Sequence, residues 1–116
     1  MTTNKRIMLV TCSSVQEARK IARAVVNLHL AACTNIVTAP VLSIYRWQGR
    51  VESAREVLVI IKTTRKCLAG LQRAIRRLHS YDVPEIIALE VASGSREYLA
   101  WIEQSVRAPN RRRKAR

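Results

Sequence analysis

The fold is decided by residues 43–63, which read SIYRWQGRVESAREVLVIIKT. Up to Trp47, apolar and aromatic residues alternate with polar ones in the period-two pattern of a β-strand. Gly49 ends this run and permits a tight turn. The unbroken apolar run 57–61 is too short for a free-standing helix and is typical of a strand covered on both faces. We therefore predict a long antiparallel β-hairpin.

The tip of this hairpin predicts a partner subunit. Tyr45 and Trp47 lie near the tip, where a chain of 116 residues has little with which to cover them. Exposed aromatic side chains on a strand favour pairing with another chain. We therefore expect the hairpin to contact a neighbouring subunit.

Two amphipathic helices flank the hairpin in the sequence. Ser14 followed by Glu17 is a capping box, and the apolar spacing after it predicts a helix over residues 15–30. Thr64 is a candidate cap for a second helix, in which apolar residues keep i, i+3, i+4 spacing as far as Leu78. Basic residues fill the outer faces of both helices, where a solvated surface is the ordinary interpretation.

Short apolar runs predict the remaining strands. Residues 7–10 form the first strand, residues 31–37 begin the second, which Pro40 interrupts, and residues 85–91 form the last. An apolar face between Tyr98 and Val106 predicts a third helix.

The order β-α-β-β-α-β, followed by a helix, predicts an α+β fold of the ferredoxin-like split β-α-β type. Two helices then pack on one face of an antiparallel sheet. We assign residues 1–107 to a single domain. Residues 108–116 are polar and basic, and we predict that they form a disordered tail.

Composition restricts the partners and the compartment. The net charge is +13, from 21 basic and 8 acidic residues, so the chain attracts anions in general. Cys12, Cys33 and Cys67 include no C-x-x-C pair, which argues against a zinc ribbon or a disulfide framework. Free thiols fit a reducing compartment, and no apolar segment is long enough for a signal peptide or a membrane span. We predict a cytoplasmic protein without a membrane partner.

The sequence lacks the motifs of the common enzyme classes. It has no glycine-rich phosphate loop, no G-x-S-x-G and no H-E-x-x-H, so we do not expect an enzyme. It also lacks the basic-glycine-aromatic motif of RNA-recognition sheets, so we do not expect a sequence-specific nucleic-acid partner. The basic helix faces and tail leave nucleic-acid binding as a distant alternative.

His79 is the candidate metal ligand. It lies at the end of the second helix, close to Tyr81, Asp82 and Glu85, which together offer imidazole and carboxylate groups. The alternative, which we favour at this point, is that the imidazole caps the last helix carbonyls. The same alternative applies to His29, in the last turn of the first predicted helix.

Five blocks of the sequence carry a family resemblance: 30–36 (LAACTNI), 43–49 (SIYRWQG), 56–63 (EVLVIIKT), 81–87 (YDVPEII) and 98–102 (YLAWI). Together they resemble the CutA divalent-cation tolerance proteins. The resemblance runs from about Ile7 to Val106 and implies a tight homotrimer, involved in tolerance of divalent metals and of copper especially, without catalysis. The shape of this family is similar to that of the trimeric P-II signalling proteins. The resemblance therefore also implies an alternative, a small-ligand sensor that binds an anion in clefts between subunits.

The resemblance also implies site residues. Members with a described copper site use a first-strand cysteine and a His-His pair, which fall here at Val10 and at residues 78–79. Only His79 is retained, so it is the one metal ligand that we carry over, with copper as the candidate ion and no resident cofactor expected. The matching residues of the intersubunit clefts are Cys33, Tyr45, Trp47, Lys62, Tyr81, Glu85 and Trp101, together with His79.

Overall fold

The computed structural model describes residues 2–108. Residues 109–116, which make up nearly all of the predicted tail, lie outside the described part of the chain. The elements are β1 (Lys5–Cys12), α1 (Val15–Asn27), β2 (Cys33–Trp47), β3 (Arg50–Thr64), a 3-10 turn (Arg65–Cys67), α2 (Leu68–Leu78), β4 (Ile86–Glu90) and α3 (Arg96–Ser105).

The four strands form one antiparallel sheet in the order β2-β3-β1-β4. This order, with α1 and α2 on one face, is the predicted α+β ferredoxin-like fold. The core lies between that face and the two helices. Its fully buried side chains include Val10, Val59 and Ile61 from the sheet, and Ile21, Val25, Leu71 and Ile75 from the helices.

The first helix is shorter than predicted, because the chain reverses after Asn27. His29 adopts a left-handed backbone conformation (φ 60°), and its N–H donates to the carbonyl of Val26. The N–H of Leu30 donates to the carbonyl of Val25, which completes a Schellman motif and directs Leu30 into the core. The prediction of a helix to residue 30 was therefore wrong, and His29 lies beyond the helix end rather than in its last turn.

The hairpin of β2 and β3 pairs from Cys33 opposite Lys62 to Trp47 opposite Arg50. Its register shifts between residues 37 and 41, around the predicted interruption at Pro40. Gln48 (φ 51°) and Gly49 (φ 79°) form the turn, and two successive left-handed residues are the requirement of a type I′ hairpin.

The second face of the sheet differs from the prediction. Val57, Val59 and Ile61 are buried under the helices, whereas Leu58 and Ile60, which point the other way, are only half-buried. The prediction that this strand is covered on both faces was therefore wrong for a single chain. We call the second face the open face; its apolar residues include Ile7, Leu9, Val37, Leu58, Ile60, Ile87 and Leu89.

Beyond the helices the hairpin projects with exposed side chains, as expected from its length. Tyr45 and Trp47 are 44% and 46% exposed. No helix in residues 2–108 is long and apolar enough to cross a membrane.

Candidate metal centre

Three side chains with metal-binding groups converge where β1 ends. Cys12 is the last residue of β1, Glu17 lies in the first turn of α1, and His79 follows α2. One ligand atom from each lies within 4.8 Å of the other two. The fold produces this meeting because α1 begins directly after β1 and runs antiparallel to α2, which brings the end of α2 to the start of α1.

His79 is held in one orientation by two hydrogen bonds. Its Nε2 lies 2.8 Å from the carbonyl oxygen of Thr11 and donates to it, and its Nδ1 accepts the N–H of Tyr81 at 3.1 Å. These bonds define a neutral imidazole with its proton on Nε2. The favoured prediction that the imidazole caps its own helix was wrong: only the backbone N–H of His79 bonds the helix, at Ile75.

Glu17 accepts hydrogen bonds from two loops. Its carboxylate is 2.7 Å from the N–H of Ser80 and 3.1 Å from both the N–H and the Oγ of Ser13. Burial opposes ionisation, but the hydrogen bonds from Ser80 and Ser13 outweigh it and lower the pKa of Glu17. The Oγ of Ser14 accepts the N–H of Glu17, so the predicted helix cap forms, although the carboxylate reaches Ser13 instead of Ser14.

The thiol of Cys12 is fully buried beside this carboxylate. Burial, followed by the negative charges of Glu17 and Glu56, raises the pKa of Cys12 to about 12. The thiol is therefore protonated at neutral pH unless positive charge arrives. A bound divalent cation supplies such charge and deprotonates a coordinating thiol.

The donor set fits a borderline or soft divalent cation. Sulfur, imidazole nitrogen and carboxylate oxygen are the ligands of zinc and copper, whereas magnesium and calcium prefer oxygen alone. The bond from Nε2 of His79 to a backbone carbonyl is the usual support of a histidine that ligates through Nδ1. Because the single lone pair of Nδ1 accepts the N–H of Tyr81, metal binding at this atom replaces that hydrogen bond. Ligand atoms around a tetrahedral ion lie about 3.3 to 3.8 Å apart, so side-chain shifts of about 1 Å close the site.

Sequence reasoning identified His79 but missed its two neighbours. Cys12 was counted among three cysteines without a C-x-x-C pair, and Glu17 was predicted as part of a helix cap; neither was predicted as a metal ligand. The predicted order of strands and helices already indicated that these residues lie close together. In a split β-α-β fold the end of β1 and the start of α1 lie beside the end of α2, so potential ligands at those three positions share one place.

Three of the predicted cleft residues gather at the opposite end of the sheet. Cys33 and Lys62 are cross-strand partners, and the ammonium group of Lys62 donates to Asn35. The pKa of Tyr98 is raised by burial and by the adjacent Cys33. Trp101 packs against Tyr98 with ring centroids 5.4 Å apart.

The other predicted cleft residues lie elsewhere in the chain. Tyr81 donates to Glu56 at 2.9 Å and packs against His79, with ring centroids 4.7 Å apart. Tyr45 and Trp47 lie on the projecting hairpin, and Glu85 is exposed just before β4. One chain therefore does not unite the predicted cleft residues, and the cleft between subunits stays a prediction.

Comparison with known proteins places the whole of this fold in one family. The family model of the CutA1 divalent ion tolerance protein matches residues 6–105. A divalent-cation tolerance protein CutA from Thermus thermophilus is 46% identical over 101 residues, which cover 87% of this chain and 97% of that protein. The human protein CutA is 44% identical over 95 residues, or 82% of this chain. This chain spans about half the length of the mammalian and plant relatives it matches (52% of the human protein).

Solved structures agree with the sequence relatives. The cation tolerance protein from Thermus thermophilus superposes with a TM-score of 0.87 at 45% identity, over 89% of this chain and 99% of that one. CutA1 from Oryza sativa superposes with a TM-score of 0.87 at 36% identity, over 93% of this chain and 98% of that one. The chain therefore belongs to the CutA1 divalent ion tolerance protein family.

Proposed function

We propose that this protein binds a divalent transition-metal ion at Cys12, Glu17 and His79, and that it serves metal tolerance through binding rather than catalysis. Copper is the ion that the family resemblance favours. The observation that carries the proposal is the convergence of a thiol, a carboxylate and an imidazole within 4.8 Å at the junction of β1, α1 and α2.

Charge balance supports a dication at this position. The thiolate of Cys12 and the carboxylate of Glu17 carry two negative charges, and the imidazole of His79 is neutral in its observed hydrogen bonding. A dication balances the charges of its two anionic ligands, which avoids the high cost of unpaired buried charge, while the nearby carboxylate of Glu56 accepts a hydrogen bond from Tyr81. The sulfur ligand disfavours magnesium and calcium.

Calorimetric titration of Cu(II) and Zn(II) into the chelator-treated protein tests the site, with Mg(II) as the hard-cation comparison. We expect saturable binding of one Cu(II) or Zn(II) per chain and none of Mg(II). Mutation of a residue that only hydrogen-bonds to a metal ligand typically weakens metal affinity about 10- to 100-fold. His79→Gln removes one of the three protein ligands themselves, so we expect it to weaken metal affinity by at least about a hundredfold. The matched control is His29→Gln, because His29 is exposed and lies outside the cluster. Equal affinity of the two variants would disprove the site.

We also propose a homotrimer, in which the open face and the projecting hairpin contact neighbouring subunits. Ile87 and Leu89 are 50% and 49% exposed on the open face, and Leu42 and Ile44 are 67% and 68% exposed on the hairpin. Apolar side chains left exposed at neighbouring positions of a sheet or hairpin favour contact with another subunit. The three free cysteines support a cytoplasmic location for this assembly.

Light scattering after size exclusion tests the assembly. We expect the mass of three chains for the wild-type protein. Leu89→Glu, which places a charge on the open face, should shift the mass towards one chain. The control is Leu28→Glu, because Leu28 is 57% exposed at the end of α1, on the opposite side of the sheet. A wild-type monomer, or a trimer in both variants, would contradict the proposed interface.

A further inference from the structure

The positive charge of this protein is concentrated on one layer of the fold. The helix layer, defined here as α1 together with residues 65–78, contains eight basic residues and one acidic residue, a net charge of +7. All other described residues together contain eight basic and seven acidic residues, a net charge of +1. The basic residues of the helix layer are Arg19, Lys20, Arg23, Arg65, Lys66, Arg73, Arg76 and Arg77.

These eight side chains are exposed and uncompensated. Each is solvent-exposed, and within the described residues none has a carboxylate in ion-pair distance. The single acid of the layer, Glu17, is turned towards Ser13 and Ser80 at the metal site. By contrast, Lys5 and Arg6 on the sheet pair with Glu103 and Glu90. The helix layer therefore carries a net positive charge that no carboxylate within ion-pair distance offsets.

The shape of the layer suits an extended anion. A cleft of about 610 Å³ at the end of α2 is lined by three arginines and one carboxylate, together with His79 and its neighbours; the residues are Arg73, Arg76, Arg77, His79, Ser80, Tyr81, Asp82 and Pro84. A second groove, of about 530 Å³, runs beside α1 and contains Arg19 and Arg23. Residues three and four apart on a helix share one face, so the arginines of α2 present their guanidinium groups together.

The chemistry of the layer favours duplex nucleic acid over a membrane. Six of the eight basic residues are arginine, whose planar guanidinium groups bind phosphates in bidentate fashion. A membrane-surface helix needs an exposed apolar face, but the apolar faces of α1 and α2 are buried in the core. Neither helix contains an aromatic residue on which unpaired bases stack, so a single strand is disfavoured as well.

We propose that the helix layer is a sequence-independent binding surface for the phosphate backbone of double-stranded nucleic acid. The layer lies on the opposite side of the sheet from the open face. It therefore stays accessible in an assembly built through the open face, and each subunit presents one such surface outward. The cleft at the end of α2 borders His79, so this surface adjoins the proposed metal site; its positive charge comes from the arginines and lysines of the helix layer.

The test is fluorescence anisotropy of the full-length protein with a labelled 20-base-pair duplex, across a series of salt concentrations. The variant Arg73→Gln/Arg76→Gln removes two charges from the helix layer. Its matched control, Arg96→Gln/Arg107→Gln, removes two exposed charges at the two ends of α3. Both variants carry the same net charge and contain the same basic tail. Thermal melting and light scattering verify that both remain folded and assembled.

We expect the affinity of the wild-type protein for the duplex to fall steeply with salt. Each phosphate contact contributes about 0.9 to the slope of log affinity against log salt, so the helix-layer variant should lose about 1.8 from that slope. It should also bind at least about tenfold more weakly at 0.1 M salt, while the control stays within about twofold of wild type. Absence of duplex binding, equal losses in both variants or an unchanged helix-layer variant would each overturn the proposal. Tighter binding to vesicles of phosphatidylserine than to the duplex would overturn the choice of nucleic acid.

Discussion

Glu17→Gln is the most informative single change at the junction of β1, α1 and α2. The carboxylate accepts three hydrogen bonds, two at one oxygen from Ser13 and one at the other oxygen from Ser80. Glutamine keeps the shape but offers only one acceptor oxygen, so one of these two loops loses its acceptor. Hydrogen bonds to a charged group contribute about 1.5 to 3 kcal/mol each. The negative charge in the first turn of α1 contributes a further 0.3 to 1 kcal/mol, approximately.

For the loss of one such hydrogen bond and of the charge, we therefore expect Glu17→Gln to lower the free energy of unfolding by about 2 to 4 kcal/mol at pH 7. The effect depends on pH in a defined direction. Because the pKa of Glu17 is lowered in the folded protein from its usual value of 4.5, its stabilisation is complete above that value and is lost as the pH falls through the folded pKa. The difference between wild type and variant should shrink steadily below pH 4.5.

The assay is urea unfolding at a fixed protein concentration, because oligomer stability depends on concentration. It is performed without metal, at several pH values between 3 and 7. The matched control is Glu97→Gln, which removes an exposed carboxylate from the first turn of α3 and should change stability by less than about 0.5 kcal/mol. A loss for Glu17→Gln that stays the same from pH 7 to pH 3, or a loss no larger than that of the control, would refute the reasoning.

Three further predictions concern the thiols, the turn and the core. At pH 8 the buried thiols of Cys12 and Cys67 should react with iodoacetamide far more slowly than the half-buried thiol of Cys33. Mass spectrometry of the labelled peptides measures these rates, and fast labelling of Cys12 would contradict its burial and its pKa of about 12. Gly49→Ala should destabilise the protein by about 1 to 2 kcal/mol, because φ is +79° there and alanine is strained in that conformation. No neighbouring atom lies within 4 Å of the added methyl group, so the cost comes from the backbone alone, and unchanged thermal unfolding would refute this. Leu71→Ala should cost about 2 to 5 kcal/mol in urea unfolding, because Leu71 is fully buried between α2 and the sheet; a loss below 1 kcal/mol would show that the core collapses around it.

The sequence predicted the fold well because its patterns are local. Alternation up to Trp47, the glycine at position 49 and the i, i+3, i+4 spacing of α2 each determine an element without help from distant residues. The end of α1 was predicted too late because Leu30 continues the apolar spacing. In the structure Leu30 is buried by a reversal at His29, and a left-handed histidine is not evident from a pattern of apolar residues.

The proposed metal site could be predicted only in part, because its residues come from three separate segments. His79 was found by its residue type and its place at a helix end. Its hydrogen bond to Thr11 spans 68 positions in the sequence, and no local pattern indicates such a contact. Cys12 and Glu17 become candidates only once the antiparallel packing of α1 and α2 is known.

The central claim is that a divalent transition-metal ion binds between Cys12, Glu17 and His79. The most direct test is an anomalous difference map, collected at the zinc edge, from crystals grown with Zn(II). We expect a peak within about 2.0 to 2.3 Å of Sγ of Cys12, a carboxylate oxygen of Glu17 and Nδ1 of His79. A peak elsewhere in the protein, or no peak at these three atoms in crystals that contain zinc, would contradict the claim.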